Sequence, residues 1–135
     1  MSNINNMFKY QGKTTKIIGS TRTKQYKEIY EHISSLQGNK LPFNGEYLGD
    51  NELAQSIYKN KYYLKNLNNE VVENCPEDVF KRLASFIASV EDTKTKQKHW
   101  AEKFYTDLYE GRFVSGGRVL AGAGDLYRIK TLANC

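Results

Sequence analysis

Apolar residues recur at helical spacing in four stretches of this chain, and alternate as in a strand only near its end. Tyr26, Ile29, Tyr30, Ile33 and Leu36 fall on one face of a helix predicted over residues 23–36, with Gly38 as its stop. Leu41, Pro42, Phe43, Asn44 and Gly45 read as a turn, since proline fixes φ and Asn-Gly tolerates positive φ. A second helix is predicted after Asp50, a good N-cap, with Leu53, Ala54, Ile57 and Tyr58 as its apolar face. Its pattern extends through Tyr62 and Leu64 until the asparagines of residues 66–69 break it.

The third helix is the clearest. Pro76 suits its first position, and Glu77 and Asp78 suit the positive end of the helix dipole. Val79, Phe80, Leu83, Phe86, Ile87 and Val90 make its apolar stripe. A fourth helix over residues 95–110 stacks Trp100, Phe104 and Leu108, with Ala101 and Tyr105 beside them, and Gly111 ends it. Residues 1–20 are weakly patterned. Phe8, Tyr10, Ile17 and Ile18 suggest a short strand or an arm, and the first few residues are expected to be mobile.

The texture then changes. Residues 111–124, GRFVSGGRVLAGAG, hold five of the chain's ten glycines, which marks sharp turns and close backbone approach. Residues 127–135 alternate like a strand and stop at Cys135. A strand there needs a partner for its backbone groups.

At 135 residues there is room for one domain. No apolar run approaches the roughly 20 residues of a membrane span, and the first residues lack the apolar core of a secretory signal. Two cysteines, Cys75 and Cys135, cannot build a disulfide framework, so a cytoplasmic protein is expected. The net charge of +5 comes from basic residues spread along the chain, with the tightest group at Lys94, Lys96, Lys98 and His99. A solvated surface is the simplest reading of that charge, and contact with phosphates or nucleic acid the other.

Short motifs carry little. Gly12-Lys13-Thr14 ends like a phosphate loop, but Met7 stands where the motif needs its first glycine. Gly122-Ala123-Gly124 begins like a dinucleotide fingerprint, but Tyr127 takes the third glycine's place. His32, His99 and the two cysteines share no metal-ligand spacing. Cys75 stands at a helix N-terminus, where a thiol can be activated, yet no base or resolving thiol is near it in sequence, and a structural role is expected.

Residues 111–135, GRFVSGGRVLAGAGDLYRIKTLANC, resemble the catalytic subunit of ribonucleotide reductase, most closely the adenosylcobalamin-dependent (class II) type and its phage relatives. That family shows a helix ending in Gly-Arg-Phe, a glycine-rich turn and a strand ending in Asn-Cys. Residues 51–63 (NELAQSIYKNKYY) and 74–88 (NCPEDVFKRLASFIA) resemble the helices of its N-terminal domain. The resemblance covers roughly residues 48–135, and residues 1–45 carry no family signal.

The resemblance implies a mainly α chain: an N-terminal helical domain followed by the first strand of a ten-stranded α/β barrel. A flexible arm is expected over residues 1–20, the helical domain over 21–110, and the glycine-rich turn and strand over 111–135. By resemblance Cys135 is one of the redox pair that reduces the substrate ribose. Asn134 lines the substrate site. The glycine-rich turn, with Val119, Ala121 and Gly122, approaches the nucleotide phosphates. Val119 stands where class I relatives carry a threonine, so backbone N–H groups would bind there instead.

The implied substrate is a ribonucleoside di- or triphosphate. The implied reductant is of thioredoxin or glutaredoxin type. Adenosylcobalamin would serve the complete enzyme, bound outside this chain. The chain lacks the radical-bearing cysteine, the second redox cysteine and the remaining barrel strands, so activity requires the rest of the reductase. A split gene, an interruption by an intron or intein at Asn134-Cys135, and an incomplete reading frame would each account for the ending. The alternative is a small basic helical module that binds nucleic acid or a protein partner; no membrane is expected, and under the reductase reading no nucleic acid either.

Overall fold

The computed structural model describes residues 4–130 and 132. Among them the chain is helical: α1 Asn5–Lys9, α2 Lys13–Ile18, α3 Ser20–Leu36, α4 Glu52–Ile57, α5 Pro76–Ala88, α6 Lys94–Tyr109 and α7 Gly117–Gly122. No described residue belongs to a strand longer than a single bridge. The two bridges pair Gln37 with Leu41 and Lys65 with Val71.

Helix α5 is the centre. Pro76 occupies its first turn and Cys75 stands as N-cap without a capping side-chain bond. Glu77 and Asp78 serve the dipole and the neighbouring loops together. Glu77 Oε2 accepts from the backbone N–H groups of Asn44 and Gly45 at 3.1 and 3.0 Å, and Asp78 Oδ2 accepts from Asn74 N at 3.0 Å. The predicted Pro-Asn-Gly turn is thus tied to the first turn of α5. Helices α3 and α6 pack on α5 and on each other.

One core cluster joins Ile29 and Ile33 of α3, Val79, Phe80, Leu83, Ala84 and Ala88 of α5, and Ala101, Tyr105 and Leu108 of α6. A second lies on the other side and joins Ile4, Met7, Phe8, Tyr26, Tyr30, Leu64, Val72 and Leu126. Because α5 is covered all round, even Lys81, Arg82 and Ser85 on it are buried. Its C-terminal end emerges: Ile87 and Val90, expected in the stripe, are 40% and 62% exposed.

Three expectations change. The stretch expected as a short strand or arm forms α1 and α2, and α1 carries Met7 and Phe8 into the second cluster. Their spacing, with Ile4, is helical, and Phe8 packs edge-on to Tyr26 at 4.8 Å. The second predicted helix is capped by Asn51 rather than Asp50, its side chain accepting from Ala54 N at 3.0 Å. That helix does not carry a buried stripe. After six residues it widens into one π turn, Tyr58–Tyr62, which breaks the phase of the pattern. Leu53 is left 73% exposed, and the contact with the core passes to Tyr58, Tyr62 and Tyr63. Finally, the glycine-rich stretch contains a helix, α7, where a turn was predicted.

Among the described residues, no helix is long and apolar enough to cross a membrane.

The division between core and surface leucines has a measurable outcome. Leu83 is fully buried, and Leu83→Ala is expected to cost about 2–5 kcal/mol in urea unfolding. Leu53→Ala is expected to stay within about 0.5 kcal/mol of the parent.

Candidate functional site

The segment carrying most of the sequence-derived site residues is held from inside by one side chain. Arg82, fully buried on α5, sends Nε to Glu73 Oε2 at 3.0 Å. Its Nη2 donates to the carbonyls of Leu120 at 2.7 Å and Tyr62 at 3.1 Å, and its Nη1 donates to Ala123 O. The other oxygen of Glu73, also fully buried, accepts from Leu64 N at 2.7 Å. A planar fork with five donors suits this task, because it can meet a carboxylate and several carbonyls at once. Burial pulls the guanidinium downward, but the Glu73 carboxylate outweighs it and leaves a net upward shift, so Arg82 stays charged.

The exit of α7 is fixed as closely as its end. Tyr26 donates its hydroxyl to Gly124 O at 2.9 Å, and burial raises that phenol well above its ordinary value, which keeps the donor proton in place. Gly124 has φ +83°, and a Cβ there would lie 2.7 Å from the Tyr26 hydroxyl oxygen and 2.9 Å from Arg82 Cγ. Only glycine satisfies both the conformation and the approach. Asp125 then turns the chain: its Oδ1 accepts from Tyr127 N at 2.8 Å and Arg128 N at 3.1 Å. Its Oδ2 faces Lys130 Nζ at 3.3 Å. Arg128 reaches across to the carbonyls of Lys65 and Asn66, at 2.9 and 2.7 Å, and to Asn69 Oδ1 at 3.1 Å.

Residues 126–130 bend here and pair with no strand among the described residues. Asp125 takes backbone N–H groups that a strand would have offered to a neighbour. The rest of the predicted strand, including Asn134 and Cys135, lies outside the described residues. Val119, Ala121 and Gly122 share α7. Val119 packs half-buried against the first core cluster. Ala121 O accepts from Lys130 Nζ at 3.2 Å, and Gly122 is buried where a Cβ would stand 3.0 Å from Lys130 Cβ.

Sequence reasoning missed Glu73, Arg82, Tyr26, Asp125, Arg128 and Lys130. The only signal for Arg82 was a cation one place from Leu83 in an otherwise apolar helix. Glu73 and Arg82 are nine residues apart across a loop and share no periodicity.

The other candidates resolve plainly. His32 Nε2 lies 3.0 Å from Glu102 Oε2, and Lys40 Nζ lies 2.7 Å from Glu102 Oε1. Burial would raise the Glu102 carboxyl, but His32 and Lys40 together hold it below the usual range. Lys94 faces Glu28 at 3.8 Å and Lys96 faces Asp92 at 3.1 Å, so this basic group is partly met by carboxylates. Among the described residues no group of three or more His, Cys, Asp or Glu side chains is placed to hold a metal. Cys75 is buried, and burial, with the charge of Asp78 next, pushes its thiol up to about 12, opposite to activation.

Set against known proteins, the chain matches the family model described as ribonucleotide reductase, all-alpha domain, over residues 48–128. No curated protein and no solved structure gives a match. The matched span runs from just before α4 to Arg128 and so contains Glu73, Arg82, α7 and Asp125.

Two outcomes test the site. Arg82→Met leaves Glu73 buried without its counter-charge and is expected to cost roughly 3–5 kcal/mol in urea unfolding. The double variant Arg82→Met/Glu73→Leu is expected to recover part of that loss. A single-variant cost below about 1 kcal/mol would remove Arg82 as the anchor. At neutral to mildly alkaline pH, Cys75 is expected to alkylate far more slowly in the folded chain than in urea, as followed by mass spectrometry of its peptide.

Proposed function

The chain belongs to the ribonucleotide reductase all-alpha domain family, and on that premise we propose that it is the N-terminal part of a reductase catalytic subunit. The complete enzyme would reduce ribonucleotides to deoxyribonucleotides by thiol and radical chemistry. The observation that carries the proposal is the family match over the helical domain, joined to the sequence block Gly-Gly-Arg…Asn-Cys that begins at the start of α7.

In this reading the helical domain acts as a base plate. Arg82 and Tyr26 hold the carbonyls at the end of α7, and Asp125 and Arg128 set the direction in which the chain leaves. Ten residues beyond Asp125 stands Cys135, proposed as one redox thiol that gives its electrons to the ribose and ends in a disulfide. Its partner thiol would come from the rest of the barrel, within a Cα separation of about 4.4–6.8 Å. A thiol at the end of a barrel strand, as the resemblance implies for Cys135, would keep that geometry better than one on a loose loop. Asn134, Val119, Ala121 and Gly122 are proposed to face the substrate, a ribonucleoside di- or triphosphate. The disulfide would be returned to the thiols by a thioredoxin- or glutaredoxin-type reductant in the cytoplasm.

The class II assignment, and with it adenosylcobalamin as radical source, rests on the terminal block alone. The described residues do not fit that cofactor. Their larger cavities, of about 600 Å³, are open clefts with lysines and carboxylates among their lining residues.

The test is made on the complete reductase, whether its barrel comes from a continued reading frame or from a second chain. Cys135→Ser is expected to leave assembly intact and to bring nucleotide reduction to background. Sustained turnover by that variant would refute the redox role. Sequencing the transcript past the codon for Cys135 tests the premise separately, since a continuing barrel sequence with a further redox cysteine is expected there or on a co-purifying chain.

A further inference from the structure

A cavity of about 600 Å³ opens between α1, α3 and α5, away from α7. It forms where the segment before the matched span folds onto the family domain. Lys81 of α5 lines it, and this side chain is unusual. It is only 6% exposed, yet its nearest carboxylate among the described residues, Asp78, is 3.8 Å from Nζ. The other oxygen of Asp78, Oδ2, accepts from Asn74 N. The ammonium makes do with Gln37 Oε1 at 3.2 Å and the face of the Tyr30 ring at 4.5 Å. Burial lowers the Lys81 ammonium from its ordinary value, with Asp78, then Cys75 and Glu73, pulling it back. This is a desolvated cation with incomplete compensation, a situation that a bound anion relieves.

The rest of the lining agrees. Lys9 and Lys27 add positive charge at the mouth, and among the described residues Lys9 has no ion pair. The carboxylates present are Asp78 and Glu31, and Glu31 is 3.8 Å from Lys27. Phe43, 39% exposed, stands at the lip and offers an apolar ring. The volume lies in the range of small-molecule sites.

We propose that this cavity binds a small phosphate monoester, its phosphate on Lys81 with Lys9 and Lys27 at the mouth and its organic body against Phe43. Binding gives Lys81 a closer counter-charge than Asp78 does at 3.8 Å and ties α1 and α3 to α5. It involves none of the residues assigned to reduction, so it stands or falls apart from that reading.

The experiment is calorimetric titration of the full chain with phenyl phosphate and, separately, with inorganic phosphate. Saturable binding of phenyl phosphate is expected, tighter than that of inorganic phosphate and weakening as pH is raised and Lys81 loses its proton. Lys81→Met is expected to weaken it about tenfold or more, the scale of a lost charge-assisted hydrogen bond. Should that variant fail to fold by circular dichroism, Lys27→Ala and Phe43→Ala at the exposed mouth decide, each expected to weaken binding. No saturable binding, equal affinity for the two probes, or unchanged affinity in the folded variants overturns the proposal.

Discussion

A single buried cation organises this molecule. Moving a guanidinium and a carboxylate out of water costs several kcal/mol per ion, and mutual attraction alone often fails to repay it. Arg82 and Glu73 meet the cost with neighbours. The guanidinium reaches one carboxylate oxygen and three carbonyls, and the second carboxylate oxygen takes Leu64 N. Those partners belong to the end of the π turn, the loop that follows it and the end of α7. Remove the cation and three segments lose their common attachment, although none of them touches another through a sheet.

The same pair explains why a stretch with so many glycines is a helix at all. Glycine disfavours a helix interior by roughly 1 kcal/mol relative to alanine. Helix α7 begins with one glycine and ends with another, and its six residues are too few to stand alone. Its last carbonyls, which a free helix leaves to water, are instead bound by Arg82, and the carbonyl of Gly124 beyond it by Tyr26. Tertiary contacts impose the conformation that local propensity opposes.

How far the fold could be read from the residues follows from this. Helices α3, α5 and α6 were legible because their apolar stripes face a core and their ends carry Pro76, Gly38 and Gly111. The helical spacing of Ile4, Met7 and Phe8 was present but spanned too few residues to stand out from polar surroundings. The pattern after Asp50 misled, because the π turn changes which side chains point inward halfway along. In the candidate site, the glycine-rich segment was legible as a unit and its supports were not. The glycines and the terminal Asn-Cys announced a family, whereas the side chains that hold that segment come from α3, α5 and a loop, with no spacing to join them. Asp125 shows the limit most clearly: the alternation after it suggests a strand, and a carboxylate that binds Tyr127 N and Arg128 N turns the backbone aside.

The long sequence reach of these bonds bears on the order of folding. Tyr26 and Gly124 are joined across 98 positions, and Leu126 N meets Met7 Sδ at 3.3 Å across 119. Such contacts close large loops, whose entropy is lost before the contact is gained, and chains dominated by them fold slowly. On a ribosome, α3 has been made long before its partners for Tyr26 exist. Helices α3, α5 and α6 can assemble as synthesis proceeds, but Glu73 and Arg82 wait, charged and partly wet, until residues 120–126 emerge. The helical domain is therefore sealed by residues 120–126, and its maturation is timed by their arrival.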